Sequence, residues 1–191
     1  MSRAGIFLIA AALALSGCEE RVSLSPPPAA AVEASCAARA VAPWRPLRGV
    51  ELRASAETSG ASCATASASL SIADASGKSL YAERLPAAQV MTLAYAEDAR
   101  AMQVALASWI DQTRSSFRGT SELPVWRPDD EQPVLGEFPF YPEPAFDRAA
   151  YAALRDRDAP MFCFVQGMES MACVALVDGA LTKVGVQTFP G

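Results

Sequence analysis

The sequence predicts an α+β fold, in which an antiparallel sheet from N-terminal strands and a C-terminal three-stranded meander is packed by one long and one short helix. Three patterns support this prediction. Segments 50–54 and 68–73 alternate apolar and polar residues, as half-buried strands do. Apolar residues after Asp98 recur at helical spacing. Near-continuous apolar runs close to the C-terminus are interrupted by turn-forming residues, which is typical of buried β-hairpins.

The N-terminal strands are expected to form a hairpin joined by a preceding strand. Segment 50–54 is the preceding strand, and 68–73 is the first arm of the hairpin. A turn-forming cluster follows at 74–77, after which 79–82 resumes an extended pattern. We expect the folded region to begin near Trp44.

Two helices are predicted. Asp98 is suited to cap a long helix that runs to about Thr113, because its carboxylate can accept the first free backbone N–H groups. This helix would bury one stripe of apolar side chains, namely Met102, Leu106, Trp109 and Ile110. A short helix is expected from 147 to 157, where acidic Asp147 near the start and basic Arg155 near the end complement the helix dipole.

Residues 119–146 contain six prolines, which argue against regular structure there. Aromatic residues and an acidic run at 129–131 lie between the prolines. A long irregular stretch either packs against its own domain or takes part in recognition, and both interpretations stay open. Aromatic side chains beside rigid prolines offer large contact area at a small entropic cost. The candidate partner contacts are therefore Trp126, Phe138, Phe140 and Tyr141.

The C-terminal meander is predicted from three apolar segments, at 161–165, 171–177 and 180–189. Asp178-Gly179 is a dipeptide that favours a two-residue hairpin loop. If Cys163 lies opposite Cys173, a consistent register leaves a three-residue loop between the first two strands. Both faces of these strands are apolar, so we expect the sheet to be covered on two sides.

Apart from Cys18, the chain has four cysteines: Cys36, Cys63, Cys163 and Cys173. In an exported protein an even number of cysteines indicates disulfides, here two. Three pairings are possible, and we favour Cys36–Cys63 with Cys163–Cys173 because each pair closes a local loop. The cysteines lack C-x-x-C spacing and the chain has no histidine. This argues against a metal site and a thioredoxin-like redox role, so no metal or cofactor is expected.

The first residues have the pattern of an export signal. Arg3 is the only charge before Glu19, and an apolar run extends from Ile6 to Leu15. As a helix the run would be about 15 Å long, roughly half of a bilayer core, which is too short to span a membrane. The residues that follow, Leu15-Ser16-Gly17-Cys18, resemble a bacterial lipobox, in which lipid is attached to the cysteine thiol and the chain is cut before it.

The lipobox resemblance implies that acyl chains such as palmitate on Cys18 anchor the mature protein to a membrane. Glu at position 19, rather than Asp, favours the outer membrane. We therefore expect a cell-envelope protein that faces the periplasm. Residues 1–17 would be the signal peptide, 18–35 a flexible lipidated tether, and 36–191 a single α+β domain.

Charge and composition exclude several function classes. Removal of residues 1–17 takes away one basic side chain and leaves 15 basic against 21 acidic ones, a balance of −6. A net negative chain without a basic stripe is unsuited to nucleic acid. The absence of histidine excludes Ser-His-Asp and Cys-His mechanisms. P-loop, G-x-S-x-G and S-x-x-K motifs are also absent.

Three functions remain as hypotheses. The favoured one is a non-enzymatic binding or accessory module that contacts another envelope protein. The second is an inhibitor of a lysozyme-like hydrolase, in which the turn at 167–170 would enter the active site. The third is a hydrolase with paired carboxylates, for which Glu137 and Glu143 are the candidates.

Overall fold

The computed structural model describes residues 35–115 and 117–189. The chain divides into two units, 1–32 and 33–191, and the described residues belong to the second. The predictions for the signal peptide, Cys18 and nearly all of the tether lie outside the described residues. Within them the fold is α+β, as predicted, with two α-helices. The N-terminal strands and the C-terminal meander do not share the one predicted sheet but belong to a four-stranded and a five-stranded antiparallel sheet.

The four-stranded sheet consists of β1 (Ala38–Leu47), β2 (Val50–Ser59), β3 (Ser67–Ala73) and β4 (Ser79–Pro86). The strands lie side by side in that order. The prediction that the folded region begins near Trp44 is wrong, because β1 already starts at Ala38. Small alanines face inward along β1 while Val41 and Pro43 face solvent. The usual contrast between apolar and polar faces is therefore weak in this strand.

Helix α1 (Ala99–Trp109) packs on the buried face of this sheet. Asp98 caps the helix as predicted, since its carboxylate accepts the Ala101 N–H at 2.7 Å. All four side chains of the predicted stripe are buried. The inner face of the sheet offers alanines at Ala54 and Ala56 that are fully buried. Such small side chains let the helix backbone approach the sheet closely.

Helix α1 is shorter than predicted. It ends at Trp109 and not at Thr113, because Asp111 caps a separate 3-10 turn at Gln112–Arg114 by accepting the Thr113 N–H at 2.9 Å. The alanine-rich stretch before the helix is not part of it and forms turns, including a 3-10 turn at Ala87–Gln89. The change of direction after Trp109 brings Gln112 to the second sheet.

The second sheet consists of β5 (Val134–Leu135), β6 (Phe138–Pro142), β7 (Met161–Val165), β8 (Ser170–Val177) and β9 (Ala180–Thr188). Its strand order is β5-β6-β9-β8-β7. The last three strands in the chain are the predicted meander. Helix α2 (Arg148–Asp156) connects β6 to β7 and is capped by Asp147, as predicted.

Two local features set the register of the meander. Asp178 and Gly179 have φ angles of 51° and 79°, which the predicted two-residue turn requires. Cys163 lies opposite Cys173, so the predicted pairing of β7 with β8 is confirmed.

The five-stranded sheet is covered on both faces, as its apolar strands predict. Phe162, Phe164 and Val174 face a core that is shared with the four-stranded sheet and α1. The alternating side chains face a second core, which includes Tyr151 and Leu154 of α2. The meander is thus the layer that joins the two cores.

Both favoured disulfides are present. Cys36–Cys63 ties the start of β1 to the link between β2 and β3, and Cys163–Cys173 joins β7 to β8. All four cysteines are at most 8% exposed. Disulfides of this kind contribute about 2–4 kcal/mol each to stability.

The Pro-rich segment contains regular structure that the sequence did not predict. It forms β5 and β6, and β6 pairs with β9. Pro139 lies opposite Val134 in a pair that is not hydrogen-bonded, so the nitrogen of residue 139 does not face β5. A proline, which has no N–H, is therefore tolerated there. Gly185 on β9 permits the close packing, since a Cβ atom there would lie 2.5 Å from the Phe140 ring.

The outer edge of β7 is closed by side chains and not by another strand. The Gln112 amide donates to the Cys163 carbonyl at 2.9 Å and accepts the Cys163 N–H at 3.1 Å. The indole N–H of Trp109 donates to the Val165 carbonyl at 2.7 Å. Trp109 at the end of α1 and Gln112 in the following 3-10 turn therefore occupy the place that a further strand would take.

Gln112→Leu should destabilise the fold by about 1–3 kcal/mol, because it leaves the N–H and C=O of Cys163 without partners in a buried place. Urea unfolding measures the loss. Gln103→Leu, at an exposed position of α1, is the matched control and should change stability by less than about 0.5 kcal/mol. Equal effects at the two positions would contradict the role assigned to Gln112.

Candidate contact surface

Three backbone carbonyls of the Pro-rich segment accept hydrogen bonds from one guanidinium group of α2. Arg148 donates to the backbone carbonyls of Arg127, of Asp130 at 2.8 Å and of Trp126 at 3.4 Å. Its guanidinium also lies 4.8 Å from the centroid of the Trp126 ring, in a cation–π contact. An irregular chain needs such partners, because its carbonyls are not paired within a helix or sheet.

Further donors of α2 hold the part of the segment that precedes Trp126. The Tyr151 hydroxyl donates to the Pro124 carbonyl, and the Arg155 Nε donates to the Leu123 carbonyl, each at 2.9 Å. Burial raises the pKa of the Tyr151 phenol, so the hydroxyl keeps its proton and this hydrogen bond into more alkaline solution than a free tyrosine would. The segment is accordingly packed against its own domain along most of its path.

The structure separates the four predicted contact residues. Phe140 is fully buried against Tyr151, with the ring centroids 6.0 Å apart, so its assignment as a partner contact is wrong. Trp126 is partly buried, and its ring meets Tyr151 edge to face at 5.7 Å. Phe138 is partly buried, and Tyr141 is 48% exposed. Only Tyr141 projects clearly toward solvent.

Two further apolar residues of the same hairpin are exposed and were not among the predicted contacts. Val134 lies on the sheet face of Tyr141, whereas Leu135 and Phe138 lie on the opposite face. Val134 and Leu135 of β5 are 40% and 44% exposed. We call Val134, Leu135, Phe138 and Tyr141 the hairpin surface. The sequence carried a hairpin signal, the dipeptide Gly136-Glu137 between apolar residues, and in the structure Gly136 is first in the two-residue loop with a φ of 64°. The hairpin was not predicted because the neighbouring prolines argued against regular structure.

The two candidate carboxylates have different surroundings. Glu137 is exposed in the turn between β5 and β6. Glu143 lies 3.6 Å from the Lys183 ammonium. Burial, a hydrogen bond to Glu83 and the nearby charge of Glu143 raise the pKa of the Tyr81 phenol. Glu143 is thus engaged in a structural ion pair with Lys183 of the second sheet, which accounts for its position without a catalytic role.

The turn at 167–170 is fixed to its neighbours on both sides. The Met91 N–H donates to the Gly167 carbonyl at 3.3 Å, and the Phe189 N–H donates to the Glu169 carbonyl at 3.1 Å. Met168 is 41% exposed, and Glu169 also faces solvent. The turn is therefore short, and backbone hydrogen bonds hold it in place while two of its side chains are exposed.

A cleft of about 330 Å³ lies between β1 and the segment after α1. Arg45 and Gln112 are among its lining residues. Arg45 is paired with Glu51 at 2.9 Å, and both polar groups of the Gln112 amide are bonded to Cys163. Much of the polar lining of this cleft is thus engaged in the fold itself.

No family model, curated protein or solved structure matches this chain. Among residues 35–115 and 117–189, no group of three or more histidine, cysteine, aspartate or glutamate side chains is placed to hold a metal ion. Neither helix in this part of the chain is long and apolar enough to cross a bilayer.

Arg148→Ala should loosen the Pro-rich segment, because three backbone carbonyls lose their shared donor. We expect faster limited proteolysis between 120 and 135 and a loss of about 1 kcal/mol in the free energy of unfolding. Arg100→Ala, at an exposed position of α1, is the control and should leave cleavage unchanged. An Arg148→Ala protein that is cleaved as slowly as the wild type would show that the contacts do not hold the segment.

Proposed function

We propose that this chain is a lipid-anchored protein of the cell envelope, placed in the outer membrane and facing the periplasm, whose folded unit binds another envelope protein without catalysing a reaction. The proposed location rests on the lipobox resemblance at Leu15-Ser16-Gly17-Cys18. The two disulfides support it, because disulfides persist in oxidising compartments outside the cytoplasm.

The hairpin surface is the observation that supports a binding role most directly. Its exposed apolar side chains stand on a hairpin whose base is anchored by buried Phe140 and by the pairing of β6 with β9. A surface that is ordered before binding costs little further entropy when it meets a partner. An exposed tyrosine on such a support is typical of protein contacts.

A second candidate function is inhibition of a lysozyme-like hydrolase by the turn at 167–170. The fixed turn with its exposed Met168 and Glu169 favours this alternative. A lysozyme-activity assay with the purified protein tests it, and inhibition should weaken in a Met168→Ala/Glu169→Ala variant. Unchanged lysozyme activity at a large excess of wild-type protein would rule the inhibitor role out.

The binding role predicts that crosslinking in cells captures an envelope protein through the hairpin surface. Tyr141→Ser should lower capture about tenfold, as expected where an interface depends strongly on one aromatic side chain. Tyr95→Ser is the matched control, because Tyr95 is 77% exposed but lies outside the hairpin surface. Cys18→Ser removes the lipid acceptor and should lower capture by releasing the protein from the membrane.

Capture that is equal for Tyr141→Ser and wild type would contradict contact through the hairpin surface. Wild-type protein that carries no acyl chain on Cys18, as measured by mass spectrometry, would contradict lipid anchoring at this residue.

A further inference from the structure

The two sheets have four outer edges, and three of them carry recognised protection against pairing with another chain. The β7 edge is closed by Gln112 and Trp109, and the Met161 N–H at its start donates to the Arg118 carbonyl at 2.8 Å. Strand β1 contains two prolines and exposed arginines, and β4 ends in a proline after two charged residues. Prolines and charges are common devices for blocking edge-to-edge association.

The edge of β5 is short and follows Pro133, features that limit pairing, but its outward backbone groups are not covered by any side chain or strand that the structure describes. The Phe140 N–H donates to the Pro133 carbonyl at 2.8 Å, and Val134 lies opposite Pro139. In an antiparallel pair this register points the N–H and C=O of Val134 away from β6. No backbone partner for these two groups lies among the residues that the structure describes. An exposed donor and acceptor therefore stand beside the exposed side chains of Val134 and Leu135.

The charges around this edge indicate what could cover it. Asp129 and Glu131 precede β5 and Glu137 occupies the turn after it, and all three are exposed. Arg127 and Arg148 lie beside the same run, and acidic groups outnumber basic ones there. A second copy of the chain, paired through the same edge, would bring these carboxylates together and be repelled. A basic segment would instead be attracted to them.

We propose that the β5 edge accepts an extended, basic segment of the partner protein as an added strand. The inference rests on the proposed binding role and names the chemistry of the partner. The backbone of Val134 would supply the first pair of inter-chain hydrogen bonds. Lysine or arginine side chains of the added strand would meet the carboxylates, and its apolar side chains would cover Val134 and Leu135.

The test begins with a photo-crosslinking residue at position 135 in the full lipidated protein, with position 95 as the control site. Mass spectrometry identifies the captured segment, which is then made as a synthetic peptide. We expect a segment with net positive charge that crosslinks from position 135 and not from position 95. Peptide affinity for the purified protein with Cys18→Ser should fall steeply as salt is raised, because exposed charges are screened.

Two variants separate backbone pairing from charge. Val134→Pro removes the outward N–H and should lower peptide affinity about fivefold, whereas Val134→Thr keeps that N–H and should not. Asp129→Lys with Glu131→Lys should lower affinity at least about tenfold. Glu97→Lys with Asp156→Lys makes the same change in net charge at exposed positions elsewhere and should have little effect.

The outcomes distinguish this inference from the proposed function. A neutral or acidic segment, a second copy of this chain, or full affinity in both the Val134→Pro and the charge-reversed variants would overturn the added strand while leaving a binding role. If photo-crosslinking from positions 135 and 95 and in-cell crosslinking of the wild-type protein all capture nothing, both the added strand and the binding role are overturned.

Discussion

The two hydrogen bonds between the Gln112 amide and the backbone of Cys163 hold together parts of the chain that are far apart in sequence. Gln112 follows α1, which packs on the four-stranded sheet, and Cys163 lies in the edge strand of the five-stranded sheet. The contact therefore joins the helix and both sheets around one core. It also supplies partners for backbone groups that would otherwise be unpaired in a buried place, which is costly.

A related constraint governs the other end of the same sheet. The Pro-rich segment has too few paired backbone groups of its own, so side chains of α2 supply donors to its carbonyls. Arg148 and Arg155 reach them while their helix contributes Tyr151 and Leu154 to the second core. Fixing the segment in this way positions β5 at the edge of the sheet. The chain thus closes one edge of the five-stranded sheet and leaves the other with exposed apolar and backbone groups.

Features that depend on neighbouring residues could be predicted from the sequence, and features that depend on distant contacts could not. The Asp178-Gly179 turn, the Asp98 cap and the buried stripe of α1 have local signals and are confirmed. Strand β1 was not predicted, because alanine is a weak strand former and the strand has little contrast between apolar and polar faces. Strand β6 was missed because its prolines occupy positions whose suitability depends on pairing with other strands. The bond from Gln112 to Cys163 spans 51 positions and leaves no local pattern.

The contrast between a closed and an open sheet edge is the central claim, and amide hydrogen exchange tests it directly. In the purified protein with Cys18→Ser, the amide of Cys163 should be strongly protected and that of Val134 should exchange rapidly, although both lie in edge strands of one sheet. Addition of the captured partner segment should then slow exchange at Val134 and leave Cys163 unchanged. Strong protection of Val134 in the free protein, comparable with that of Cys163, would contradict an open β5 edge.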